Sequence, residues 1–275
     1  MDETSIMTVP NKVPKVISKK GKKTVGKIVS SERGQLTTAV CCVSAVGHYV
    51  PPTLIFSRKR KKDELLNGTP TGTKVLVSDS GFINTDLFFE WIQHFQEYVK
   101  STAVDPVLLL MDNHSSHISL QCISYCREHS IVLLSIPPHC SHRLQPLDVG
   151  FYGPLKTAYS QETDKWMVTN AGRCITQFKV GELFGAAYKR VASLEKAESA
   201  FKATGIWPLN PDVFMDEDFM PASVTDNTVE INTSNTLPNT EFSNENIVRD
   251  VQIDVSPEAL ELLNERNVNP GSITV

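Results

Sequence analysis

"LLLMDNHSSH", residues 108–117, sets three leucines and a methionine directly against Asp112, with Asn113, His114 and His117 close behind. Together with "PV" at 106–107 it is a short continuous apolar run, the pattern of a strand buried on both faces. The strand ends in an acid. A carboxylate there can hold a cation in the crevice beyond the strand ends, or simply cap the following turn.

The flanking sequence extends this pattern. Residues 119–129 read as a helix with Leu120, Ile123 and Cys126 inward, and "IVLLSI" (131–136) as another buried strand, stopped by Pro137 and Pro138. Strand, helix and strand in succession imply a right-handed parallel crossover. Upstream, "QLTTAVCCVSAVG" (35–47) and "HYVPPTLIFS" (48–57) are β-branched and apolar, with Gly47 at the turn between them. Pro51 and Pro52 predict a bulge or a sheet edge. "KVLVS" (74–78) is a short strand. Asn84 is placed to cap a helix with Phe88, Ile92, Phe95 and Val99 on its inner face, widened by Trp91 and Tyr98. From Val149 the pattern is helical, with Phe151, Leu155 and Tyr159 on one face. Further helices are expected at 176–192, using Phe178, Leu183, Phe184, Tyr188 and Val191, and at 194–203, before "TGIWPLNPDVF" (204–214) closes the domain. Trp91, Trp166 and Trp207 are expected in the core. The order predicts an α/β fold over residues 1–215.

Charge is distributed unevenly. Residues 1–62 carry 13 Lys/Arg against 3 Asp/Glu, while residues 216–275 carry 12 Asp/Glu against 2 Arg. The basic front suggests a polyanion partner such as nucleic acid, or a solvated basic face. The acidic end includes "TDNTVEINTSNTLPNTEFSNEN" (225–246), too poor in apolar residues to offset the entropy of ordering, so 216–275 is expected to be a mostly disordered acidic tail. "SPEALELLNE" (256–265) predicts one short amphipathic helix within it. No window holds 18 uninterrupted apolar residues, so no membrane span is expected. "MDETSIMTVPNK" lacks a basic segment followed by an apolar core, so no secretory signal is expected, and the six cysteines are expected as reduced thiols.

Asp112 ends a central strand, Asp148 stands just before a helix 36 positions later, and Asp2 lies near residue 1. Carboxylates at strand ends and helix starts of one sheet can converge, and a divalent cation removes their repulsion. Mg²⁺ prefers oxygen ligands and keeps several waters, so two or three carboxylates suffice. The same residues also serve as ordinary caps and turn formers.

Four strings decide between these readings: "MDET" (1–4), "MDNHSSH" (111–117), "PPHCSHRLQPLDVGFYGPLK" (137–156) and "FKATGIWPLNPDVF" (201–214). They resemble the DDE superfamily endonuclease domain of pogo/Tigger/jerky-type transposases; "VPKVISKKGKKTVG" (13–26) and "SSERGQL" (30–36) are similar to insect members. The resemblance covers residues 1 to about 215. It implies an RNase H-like mixed sheet flanked by helices, an acidic metal site at Asp2, Asp112 and Asp148 holding Mg²⁺ or Mn²⁺, and cleavage and strand transfer of DNA. The family's N-terminal helix-turn-helix modules have no counterpart in this sequence, and the first strand reads as clipped, with Asp2 expected to fray.

His114 and His117 flank Asp112 and read equally as groups that orient phosphate or a metal-bound water and as capping residues. A zinc site from Cys122, Cys126, His139, Cys140 and His142 lacks the paired Cys spacing of structural sites. Lys19, Lys20, Lys22 and Lys23, with Arg58, Lys59, Arg60, Lys61 and Lys62, are candidates for a DNA track or for nuclear import, which predicts a nuclear protein. DNA is the expected partner and a homodimer the candidate assembly, with no small-molecule cofactor. Two functional readings stay open: a metal-dependent DNA endonuclease, and an inactive, domesticated remnant that binds nucleic acid or chromatin without cutting it. A truncated product without function is a third.

Overall fold

The computed structural model describes residues 1–9, 20–21, 34–138, 140–215, 218 and 273–274. Three antiparallel strands open the fold: β1 (Asp2–Met7), β2 (Leu36–Val43) and β3 (Tyr49–Ser57). β4 (Lys74–Ser78) adds in parallel to β3. The prolines of β3 sit at a bulge, at a point where β3 is not yet paired to β4. Val40 pairs with Thr53 but Cys42 with Val50, so β3 carries one extra residue at Pro51–Pro52, and pairing to β4 begins only at Thr53.

β5 (Val107–Met111) and β6 (Ile131–Ser135) pair in parallel across the expected crossover, with β7 (Ile273–Thr274) on the other side of β5. The amino group of Met1 donates to the carbonyl of Leu110 at 2.6 Å, so β1 starts against the end of β5. The strands form two sheets that approach each other there, a mixed one (β1-β2-β3-β4) and a parallel one (β6-β5-β7), flanked by helices in the α/β arrangement expected.

One face is covered by α1 (Thr85–Val99) and α2 (Leu120–Glu128). Asn84 caps α1 as expected, its side chain accepting from the Leu87 amide at 2.9 Å. Phe88, Trp91, Ile92 and Phe95 are buried against Val40, Ile55, Leu109 and Met111. The other face packs on α4 (Tyr152–Thr169), α5 (Gln177–Val191) and α6 (Leu194–Ala203), entered through the four-residue α3 (Ser141–Leu144) and a π-helical turn at Leu147–Phe151. Tyr49, Phe151 and Tyr188 form a ring cluster there.

Several expected inner faces are shifted. Leu120 is 80% exposed, because α2 starts at that residue and its inward phase is set by Cys122 and Cys126, four positions apart. β6 is an edge strand buried on one face only: Leu133 packs against the core beneath α1 and α2, while Val132 and Leu134 face outward. Tyr98 and Phe178 are exposed, and of the three tryptophans only Trp91 is core; Trp166 and Trp207 are half-buried near helix ends. Cys41, Cys42, Cys122, Cys126 and Cys140 are free thiols, the first four of them buried.

Asp2 does not fray. It pairs with Cys41, the Tyr152 hydroxyl donates to its carbonyl, and the Gln145 amide donates to the carbonyl of Met1 at 3.0 Å. Residues 214–268 form a second unit, of which Phe214, Met215 and Asp218 are described. The expected disordered stretch at 225–246 and the expected helix at 256–265 lie outside the described residues, as does the lysine-rich segment 12–33 apart from Lys20 and Gly21.

The π-helical turn lies tight on α6. A Cβ at Gly150 would meet the Ala200 Cβ at 2.5 Å and its Cα at 3.0 Å. Gly150→Ala is expected to destabilise the fold by about 1–3 kcal/mol in denaturant unfolding, the usual range for overpacking. Ala200→Gly in the same chain is expected to recover part of that loss.

Candidate metal centre

Three elements carry the acids: β1 with Asp2 and Glu3, the end of β5 with Asp112, and the π-helical turn with Asp148. Alternation along β1 sends Asp2 and Glu3 to opposite faces of the sheet. Asp2 is only 8% exposed. Burial first, then the charges of Glu3 and Asp148, push its carboxyl up to about 8. Asp148 is on the solvent side, yet its carboxyl is also raised, by local desolvation and by the charge of Asp112, against the opposing pull of Lys156 and His142. Asp2 thus feels the charge of Asp148, and Asp148 that of Asp112, but among the described residues the three do not gather their donor atoms into one close group.

Asp112 differs from the other two. Its Oδ1 lies 2.9 Å from Nδ1 of His117 and accepts the His114 amide at 3.1 Å. The hydrogen bond from His117 holds its carboxyl below the ordinary value despite partial burial. Nε2 of His117 lies 3.1 Å from Oε1 of Glu3. His117 is 0% exposed and stacks on Phe88, ring centroids 4.3 Å apart. Burial opposes its charge, but the bonds to Asp112 and Glu3 and their negative charges outweigh it and raise the imidazole to about 9. His117 is thus an imidazolium at neutral pH. His114 acts within its own loop, where its ring accepts from the Ser116 amide and caps the short turn at Ser115–His117.

The donor set suits a hard divalent cation. Asp2, Asp112 and Asp148 supply carboxylate oxygens, the ligands Mg²⁺ and Mn²⁺ prefer. The raised carboxyls of Asp2 and Asp148 record burial and repulsion that a bound cation would relieve. Among the described residues, Glu3, Asp112 and His117 form a group with donor atoms all within 4.8 Å of one another. Glu3 went unnoticed in the sequence beside Asp2; strand alternation was the available signal, but its partner His117 is 114 positions away. Cys122 and Cys126 are buried in the core and join no such group among the described residues, and His139 lies outside them.

The basic run divides. Lys59, Arg60 and Lys61 are exposed, whereas the Arg58 guanidinium lies 4.5 Å and the Lys62 ammonium 5.5 Å from the Phe178 ring centroid on α5. Lys20 is exposed; Lys19, Lys22 and Lys23 lie outside the described residues.

These shifts set a pH dependence in the metal-free protein. Asp2 holds its proton in the folded state up to about 8 against an ordinary 3.8, so its contribution to stability falls as pH rises between those values. His117, raised from 6.5 to about 9, contributes stability that is complete below 6.5 and is lost as pH rises through 9. Both act in the same direction. With chelator present, the unfolding midpoint is expected to fall from pH 6.5 to 9, and Asp2→Asn is expected to flatten that slope in its lower part. A midpoint independent of pH would contradict both assignments.

The sequence model of a family described as "DDE superfamily endonuclease" matches residues 33–193, a stretch that contains Asp112 and Asp148 and begins after β1. A relative from Cochliobolus lunatus, named MFS-type transporter clz9, is 32% identical over 191 residues, 69% of this chain and 21% of that protein. The chain therefore spans about a fifth of that relative's length. No helix among the described residues is long and apolar enough to cross a membrane. Among solved structures, a Mos1 transposase paired-end complex with the left transposon end aligns at TM-score 0.38 and 15% identity, covering 74% of this chain and 54% of that one. A Mos1 mariner paired-end complex with Mn aligns at TM-score 0.42 and 14% identity, covering 75% and 54%. Scores this low define neither fold nor site. Matched by the family over more than half its length, the chain belongs to the DDE superfamily of endonucleases.

Proposed function

We propose that this chain acts as the catalytic domain of a metal-dependent DNA endonuclease, of the pogo/Tigger/jerky type, that cuts a phosphodiester and passes the strand to a target. The observation that carries this reading is the family match over residues 33–193, which holds Asp112 and Asp148, beside an Asp2 kept buried on β1 by its pairing to Cys41 and by the Tyr152 hydroxyl. These three acids would hold Mg²⁺ or Mn²⁺, which supplies activation of the attacking oxygen and stabilisation of the leaving oxygen. The chain's own part is placement. β1 and β5, strands of two sheets, fix Asp2 and Asp112, and the turn wedged against α6 fixes Asp148. Lys59, Arg60 and Lys61, and the lysines at 19–23, are suited to lie along phosphates, and a nuclear location and a homodimer fit that use.

A second reading has its own support. The Glu3–His117–Asp112 network offsets two of the four acids with an imidazolium, without any cation. A domain so balanced could bind DNA without cutting it.

Two measurements decide. Nicking of supercoiled plasmid with Mg²⁺ or Mn²⁺ is expected from the parent chain and not from Asp112→Asn. Failure of both proteins to nick, with DNA still bound, would favour the second reading. DNA affinity is expected to fall steeply between low and moderate salt. Replacing Lys59, Arg60 and Lys61 by Gln is expected to make that slope shallower by up to about 3 in log–log units, near one for each phosphate no longer neutralised. An unchanged slope would remove this run from the interface.

A further inference from the structure

The bonds to Asp112 are arranged asymmetrically. The His114 amide and His117 Nδ1 both fall on Oδ1, and among the described residues none is bonded to Oδ2. The carboxylate is therefore held by one oxygen with the other left to face a ligand. The ring that holds it is fixed in turn by two contacts and by burial. Nε2 is engaged by Glu3 at 3.1 Å, one face is stacked on Phe88 at 4.3 Å, and no part of the side chain reaches solvent. Phe88 is itself immobilised in the α1 core beside Trp91, ring centroids 5.7 Å apart. Glu3 reaches the ring from a different strand, so β1 and the end of β5 are joined through one imidazole.

We propose that Glu3 and His117 are positioning residues that orient Asp112 for cation binding, Glu3 acting only through the His117 ring. The proposal rests on the reading above that Asp112 holds a divalent cation. Its physical basis is general: a ligating carboxylate is directed by the group bonded to its second oxygen, and loss of such a partner commonly weakens metal affinity by about 10–100-fold. Glu3 fixes the ring so that Nδ1, and not Nε2, points at Asp112. Without that anchor the ring can rotate about its stack on Phe88, and Oδ1 loses its fixed donor.

The test uses Mn²⁺ as probe, with the full chain and no DNA. Mn²⁺ affinity is measured by titration for the parent, Asp112→Asn, Glu3→Gln, His117→Gln and the Glu3→Gln/His117→Gln double variant. The ring NH proton resonances of His117 are followed in the metal-free proteins. The expected result is loss of binding in Asp112→Asn and a weakening of about 10–100-fold in each of the two single variants. The double variant is expected to be no weaker than His117→Gln alone, since Glu3 has nothing left to act on. In metal-free Glu3→Gln, the His117 Nδ1 proton is expected to lose its downfield position or broaden.

Other outcomes are separable. If Glu3→Gln and His117→Gln add in the double variant, Glu3 meets the cation directly and the proposal is overturned. Singles that bind like the parent while Asp112→Asn does not would overturn it too, leaving the metal reading intact. An Asp112→Asn variant that binds Mn²⁺ like the parent would instead sink the metal reading on which the proposal rests. Should His117→Gln fail to fold, Glu3→Gln, which retains the His117 side chain, decides through its Mn²⁺ affinity and its metal-free ring resonance.

Discussion

Repulsion among carboxylates is the constraint to which the rest of this fold answers. Glu3 and Asp112 meet at His117 where β1 approaches the end of β5, and Asp2 and Asp148 lie within reach of their charges. Like charges brought into a half-dry site cannot all stay ionised without a compensating partner. The structure meets this in two ways. Glu3 and Asp112 share the His117 imidazolium, while Asp2 is left buried and raised to about 8. The first is a stable internal arrangement. The second leaves charge demand that only a proton or a cation can satisfy.

The scaffold is built to keep that conflict in place. Backbone pairing to Cys41, the Tyr152 hydroxyl and the Gln145 amide hold β1 from both sides. The α1 core fixes Phe88, which fixes His117. Gly150 lets α6 close on the turn that carries Asp148, at a distance no side chain would allow. Each acid is thus mounted on a segment whose own position is determined by packing some residues away. That is the preorganisation a cation site requires, because ligands that must first be collected lose affinity to the entropy of collecting them.

The elements themselves were largely legible from the chain. The run at 107–111, the Asn84 cap, the helix at 194–203 and the bulge at Pro51–Pro52 each follow from local chemistry: apolar continuity, a side-chain acceptor for open amides, helical periodicity, a missing donor. Errors fell where an inner face depended on what lay across from it. Leu120 is apolar and in helical phase, yet α2 begins at that residue and the buried pair is Cys122 and Cys126. Val132 and Leu134 look like core, but β6 is the last strand on its side and nothing among the described residues buries them. Phe178 matches its helix pattern but lies under Arg58 and Lys62 at the surface.

For the candidate site the division is sharper. The sequence by itself determined which acids end or begin elements, Asp112 after five apolar residues and Asp148 ahead of a helix, because those positions are set by neighbours a few residues away. It also determined the family, since the strings at 111–117 and 137–156 are local. Only the tertiary structure decided that Glu3 belongs with Asp112, that one imidazole bridges them, and that Asp2 is held and not frayed. Those facts depend on contacts between residues more than 100 positions apart. Nothing in the local chain encodes which face of β1 will meet which end of β5; that is settled when the sheet closes and buries both.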